Sequence, residues 1–442
     1  MKKVLKSGSA ILLAALMAAS VFGCSSTPAN TSVASTGSGS GSSSSEVVIK
    51  YPTFRVGTNV GAKAEKKIID GFNEKYKGKI KVEVEELPSD SSYTDKMKVL
   101  AASTALPDIV EGKDGVLELA IRNGQAIDLS SYVNADADYK KVIGPDAIKA
   151  NTRDGKLYSI SSGRQLIGYF YNKDLFAKAG ITPAKTWDEF MSNLQKLSDK
   201  GITPISMMTG ENCWSTNLLL GAMVGTANST GNEFMTTKYP TSYNTPEMQA
   251  SLDKIKTILS KYTTKDAIGA KYDIAANHFL QENTAIIANG PWMTTDFSNT
   301  DKATAGLADK IGVALYPNAG VYAQYEIGYM VCSKDKAKQD AAFEFIKYKT
   351  SAQSQQIMLE DSGTIPLTSE VQMSDEYKKS NPLVAQLISL SGNAKFMFNS
   401  IDQISYAGVI TEMSKDYPSL VSGDMSVQDM TTAMTEAASK NK

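Results

Sequence analysis

From residue 46 onward the chain alternates between two hydrophobic periods, and this alternation restricts the folds open to it. Residues 46–58 (EVVIKYPTFRVGT) read as β-strand, and residues 64–76 (AEKKIIDGFNEKY) as an amphipathic helix with Ile68, Ile69 and Phe72 on one stripe. Residues 79–87 (KIKVEVEEL) then set Ile80, Val82 and Val84 at every second position among charges, the pattern of a half-buried strand. A helix over residues 93–103 and a short buried strand in PDIVE follow. A β-α-β-α-β order predicts an α/β class with a largely parallel sheet covered by helices.

The same idiom continues. In KTWDEFMSNLQKLSDKGITPI, Thr186 as N-cap and Glu189 three residues on form a capping box. Phe190, Leu194 and Leu197 share one face, Gly201 stops the helix and a strand follows. Trp187, directly after the cap, reads as a packing residue. DAAFEFIKYKTSAQSQQIML and SVQDMTTAMTEAASK are further helical stretches, and no repeat of fixed period is present. About 397 residues (46–442) are enough for two domains. No breakpoint linker separates them, so the chain is expected to pass between two lobes more than once.

The first 45 residues have a different character. Lys2, Lys3 and Lys6 precede an apolar run over residues 10–22, too short for the roughly 20 residues that span a bilayer and suited to a secretory signal peptide. Val21-Phe22-Gly23-Cys24 resembles the bacterial lipobox, which predicts cleavage after residue 23 and acylation of Cys24. Residues 24–45 are then an acylated Cys and a Ser/Gly-rich flexible tether with a reach of about 25–30 Å. Without residues 1–23, which hold three Lys and no acid, the net charge is 43 − 47 = −4. No basic domain invites nucleic acid. His278 is the single histidine and reads as structural; with Cys213 and Cys332 it offers too few ligands for structural zinc or haem. No cofactor or metal is expected. Cys213 and Cys332 could form a disulfide or remain two buried thiols.

An ordered set of segments resembles the extracellular solute-binding proteins of bacterial ABC importers, in particular the maltose- and multiple-sugar-binding family. The set is LPDIVEG (106–112), GQAIDL (124–129), DGKLYSI (154–160), YFYNKDLFAKAGI (169–181), KTWDEF, GITPI, FLQENTAIIANGPW (279–292), IGVALYP (311–317), CSKDKAKQDAAFEFIKY and GTIP (363–366). It spans nearly the whole chain behind the signal segment. Where the family usually has FxxGxxAM before GPW, Glu282 and Ile286 replace the Gly and Met. The resemblance implies a two-lobe periplasmic-binding-protein-like fold with a multi-crossing hinge and a ligand cleft between the lobes. It places residues 46–160 with 328–366 in lobe 1, and 161–327 with 367–442 in lobe 2. It implies a monomeric binding protein, not an enzyme, that closes on a carbohydrate and delivers it to ABC permease membrane subunits, held to the membrane through its lipid anchor. A Gram-positive surface is the expected setting.

A sugar presents apolar C–H faces and a rim of hydroxyls, so its partners are flat rings edged by polar groups. By the resemblance, Trp292 of the GPW motif is the stacking platform. Trp214 begins a helix after the GITPISMM strand and is a second candidate. Thr58 and Asn59 follow the first strand, and Glu111, Lys113 and Asp114 follow PDIV. Arg164 and Gln165 lie at the first expected crossing, and Tyr325 and Glu326 at the second. FMFNSIDQISY adds Phe398, Asp402, Gln403 and Tyr406. Rival readings are the same fold around a polyamine or peptide, whose cation an aromatic cage with acids could hold, and a surface glycosidase with Glu111, Asp114 and Asp402 converging. No catalytic signature supports the last.

Overall fold

The computed structural model describes residues 46–113, 115–368 and 370–440. Its strands, in chain order, are β1 (Val47–Thr53), β2 (Ile80–Glu86), β3 (Ile109–Glu111), β4 (Thr152–Arg153), β5 (Lys156–Leu157), β6 (Arg164–Asn172), β7 (Thr203–Ser206), β8 (Thr284–Asn289), β9 (Ile311–Ala314), β10 (Gly320–Tyr325), β11 (Tyr329–Val331) and β12 (Phe396–Phe398). Helices Ala62–Lys75 and Asp90–Ala102 alternate with β1 to β3 as the hydrophobic periods predict.

Two cores result. Ile49 and Tyr51 of β1, Phe72, Val82, Tyr329 of β11 and Phe345 of helix Lys336–Lys349 pack into one, beside a cluster holding Phe54, Tyr93, Val110 and Met330. The other lies on both faces of a six-stranded sheet ordered β12-β10-β6-β8-β7, with β9 also on β6. Trp187, Phe190, Leu194 and Leu197 cover one face, and Phe279, Phe297 and Leu387 the other. The chain moves from the first core to the second between Ile160, bridged to Tyr329, and Arg164, the start of β6; it returns between β10 and β11, and Ile365 bridges Arg164. Gly328 makes that return possible. Its φ is +71°, and an added Cβ would meet the Ile160 carbonyl oxygen at 1.8 Å, so no larger residue fits where the two crossings run side by side.

The expectation of a largely parallel sheet needs correction. β1–β2, β7–β8 and β10–β12 are parallel, whereas β3–β11, β6–β8, β6–β9 and β6–β10 are antiparallel. Antiparallel pairing enters where a strand arrives from a crossing instead of a local β-α-β step. The capping box at Thr186 is also shifted. Thr186 Oγ1 accepts the Glu189 N–H at 3.2 Å, but Glu189 takes the N–H of Lys185, at 2.7 Å. Trp187 is 8 % exposed, and its indole donates to Thr226 Oγ1 at 2.8 Å. Both Cys213 and Cys332 are free thiols in buried positions. His278 lies against Asp266 at 2.9 Å.

Inside the first core, Lys349 pairs with Glu65, the side chains being 3 % and 0 % exposed, and the Tyr51 hydroxyl donates to Glu65 at 2.9 Å. A buried charge stripped of its partner is strongly destabilising. Lys349→Ala is therefore expected to remove about 3–5 kcal/mol of unfolding free energy, read from the urea midpoint of the full chain.

Candidate functional site

β6 and β10 lie antiparallel with Arg164 opposite Tyr325 and Gln165 opposite Gln324, so that consecutive polar side chains stand where the chain crosses between the cores. The Arg164 guanidinium carbon sits 5.6 Å from the Tyr325 ring centre. Glu326, one residue on, joins both sides. Gln165 Nε2 donates to its Oε1 at 3.1 Å, Ser162 donates to its Oε2, and Arg55 Nη2 lies 3.4 Å from Oε2. Arg55 leaves the end of β1 and grips Glu111 with both arms, Nε to Oε2 at 3.0 Å and Nη2 to Oε1 at 2.5 Å. Burial alone would raise the Glu111 carboxyl, but the charge and hydrogen bonds of Arg55 hold it below the usual carboxylate range.

Trp292 faces this group. Gly290-Pro291 starts a 3-10 turn over Pro291–Ser298 in which the indole folds back over Gly290, where an added Cβ would meet the ring at 2.1 Å. Glycine before Pro-Trp therefore makes room for the ring to lie against its own backbone, half-buried instead of projecting. Trp214 stands 6.2 Å away with planes at 58°, and Tyr272 lies 5.1 Å from Trp214. Arg164, Gln165, Trp292, Glu326, Ser362 and Thr364 line a cavity of about 30 Å³. That volume suits water, not a larger guest, so the walls must part to admit one. At another contact between the lobes the Tyr239 hydroxyl donates to Glu118, while its ring stacks on Tyr406 at 4.5 Å. Ala407 abuts Gly115. The lobes are in contact at these residues.

Two α/β cores joined by adjacent crossings, with aromatic and charged side chains gathered where they meet, define the two-lobe fold of a solute-binding protein. The chain belongs to the bacterial extracellular solute-binding protein family, which it matches over residues 67–385. It is similar to the multiple sugar-binding protein of Streptococcus mutans, 25 % identical over 303 residues covering 66 % of this chain and 69 % of that one. Among solved structures, a chitin oligosaccharide binding protein superposes with a TM-score of 0.77 at 23 % identity, over 89 % of this chain and 98 % of the other. A Streptococcus pneumoniae solute-binding protein in complex with the blood group A-trisaccharide gives 0.76 at 22 %, over 88 % and 98 %. These likenesses establish the two-lobe fold.

The structure thus brings Trp292, Arg164, Gln165 and Glu326 to one cavity, with Tyr325 under Arg164, Trp214 beside Trp292, and Glu111 reached through Arg55. Asn59 Oδ1 accepts the Gly61 N–H at 2.9 Å at the start of helix Ala62–Lys75, and Thr58 next to it is exposed. Lys113 pairs with Asp90. Asp402 accepts from Asn217 at 3.4 Å, the Gln403 carbonyl accepts from Lys238, and Phe398 is a core residue; these three are not among the cavity's lining. Asp114 and Cys24 lie outside the described residues. Sequence reasoning passed over Arg55, although it follows the first strand as Asn59 does, and over Ser362, Glu118 and Tyr239, for which no local pattern speaks. At Glu282, where the family pattern has Gly, φ is +59°. The carboxylate offsets that strain by taking Lys310 at 2.8 Å and Asn172 at 2.9 Å.

Because Glu111 is depressed in the folded state, its pairing contributes fully above the ordinary carboxylate range and is lost as pH falls through the depressed value. Arg55→Met leaves the buried Glu111 unpaired. The stability gap between the protein and this variant is expected to be wider at pH 7 than at pH 3, narrowing on acidification. Denaturation midpoints from pH 7 to 3 measure it, and a constant gap contradicts an ionic pair.

Proposed function

We propose that the chain is the substrate-capturing component of an ABC importer and binds a sugar or oligosaccharide in the cleft by hinge closure. The observation that carries this reading is the Trp292 indole beside Arg164, Gln165 and Glu326, a flat apolar face edged by donors and acceptors. The S. mutans relative is named for multiple sugars and the superposed structures for chitin oligosaccharide and a trisaccharide. Trp214 extends the platform, and Arg55, Asn59, Ser362 and Thr364 complete the polar rim. In this reading lobe 1 comprises residues 46–160 with 328–366, and lobe 2 residues 161–327 with 367–442. Cys24 carries the lipid that holds a monomer at the outer face of the membrane, from which the closed form reaches the permease. No described helix is long and apolar enough to cross a membrane.

A glycosidase requires one carboxyl with a raised pKa beside an ionised one. Glu326, which lines the cavity, shares the Arg55 guanidinium with Glu111, and Glu111 is pushed down, which favours binding without turnover. Release of new reducing ends from oligosaccharides would overturn that choice.

Calorimetry against a panel of mono- and oligosaccharides tests the ligand class. Trp292→Ala is expected to weaken the best ligand by more than tenfold while the melting temperature changes little; unaltered affinity sinks the platform role. Tyr239→Phe deletes the hydroxyl that reaches Glu118. That bond forms only when the lobes meet, so it adds to the closed state alone. A hydrogen bond to a charged group contributes about 1.5–3 kcal/mol, so affinity should fall about tenfold or more although Tyr239 lies outside the cavity lining. Small-angle scattering should show a larger radius of gyration at equal ligand concentration.

A further inference from the structure

The second lobe carries a recess that the cleft does not use. β9 pairs with β6 on one side, and among the described residues no strand pairs with its other edge. That edge is not spread on the surface: Ile311, Val313 and Ala314 are 2 %, 3 % and 7 % exposed. Its second half, Val313 and Ala314, together with Leu315 and Tyr316 after it, lines a cavity of about 710 Å³, within the 300–1,000 Å³ typical of sites for drug-sized guests. The cavity walls are the layers that sandwich the sheet. Leu390 and Gln386 of helix Pro382–Ser391 stand on one side, Tyr171 and residues 183–186 on the other. Side-chain alternation agrees, since Ile311 and Val313 pack with Leu387 while Ala314 packs with Ala184 and Trp187. Lys395 and Phe396, entering β12, also line it. The recess is a slot where one more strand of the sheet would run.

Antiparallel pairing turns the N–H and C=O groups of alternate β9 residues toward β6 and those of the others into the slot, where each needs a partner. Lys185 and Lys395 are exposed at the rim; among the described residues neither is in an ion pair and no acid is part of the slot lining, although Glu189, just outside it, accepts the Lys185 N–H at 2.7 Å. The rim is held in place by the turn between β9 and β10. The Asn318 N–H donates to the Lys185 carbonyl at 2.8 Å, Asn318 Nδ2 to that of Thr226 at 2.9 Å, and the Lys395 N–H to that of Ala319 at 2.8 Å. A preformed rim lowers the ordering cost of binding.

We propose that this slot receives an extended acidic peptide strand from another protein, which adds to the edge of β9 through backbone hydrogen bonds and sets carboxylates against Lys185 and Lys395. A four-residue strand at about 3.3 Å per residue asks for a peptide segment spanning about 13 Å. The slot begins at Tyr171 and the cleft at Arg164, seven residues apart on β6, or about 23 Å. Both slot walls belong to one lobe, so hinge closure leaves the slot unchanged. The partner is held whether the cleft is filled or empty, independently of what the cleft binds.

A library of random seven-residue peptides displayed on phage, selected against the immobilised full chain, tests this. Enrichment of alternating β-branched or aromatic sequences carrying Asp or Glu is expected. The synthesised peptides should bind in calorimetry, slow hydrogen exchange of the β9 amides, and lose at least tenfold in affinity when Lys185→Glu and Lys395→Glu are combined. No enrichment, or peptides that bind parent and double variant equally and leave β9 exchange unchanged, overturns the proposal.

Discussion

The structure turns on one guanidinium. Arg55 leaves the first strand of one lobe, closes bidentately on Glu111 of that lobe, and reaches Glu326 on the segment returning from the other. Glu326 in turn takes Gln165 and Ser162 at the outgoing crossing. Charges so far out of water persist only when each is paired and hydrogen-bonded, and here the pairing partners sit on opposite sides of a pivot. The crossings are thereby drawn into one place, and the close passage of Gly328 against Ile160 keeps them there.

From that pivot the cleft follows. β6 and β10 start and end at the crossings, so their terminal residues, Arg164, Gln165 and Tyr325, are presented to the gap between the lobes. Trp292 reaches the same gap from the end of β8, folded over a residue with no side chain. The Tyr239–Glu118 hydrogen bond joins the two sides away from the cavity. Trp292 and the polar side chains around it sit at the crossings, while the Tyr239–Glu118 contact lies apart from them. The residues lining the recess beside β9 all come from one side of the crossings.

Much of the fold was legible in local patterns. The period-two run at Ile80, Val82 and Val84, the stripe at Ile68, Ile69 and Phe72, and the cap at Thr186 all become the elements they announce. Trp292 was singled out by the resemblance, as the ring of the GPW motif. Arg55 was equally close to a strand end and was missed because a lone arginine after a strand has no local mark of its partners, which are 56 and 271 residues away.

Sequence alone determined the α/β class, the order of elements, the distinct first 45 residues and the family to which the chain belongs, since each is written in short-range periodicity, composition or ordered motifs. Tertiary structure decided the mixture of parallel and antiparallel pairing, the meeting of Arg55 with Glu111 and Glu326, and the position of Asp402 away from the cavity lining. Among the described residues it also left one edge of β9 without a strand. These depend on contacts between residues far apart in the chain, and such contacts are selected by the packing of whole lobes, which no local window of residues encodes.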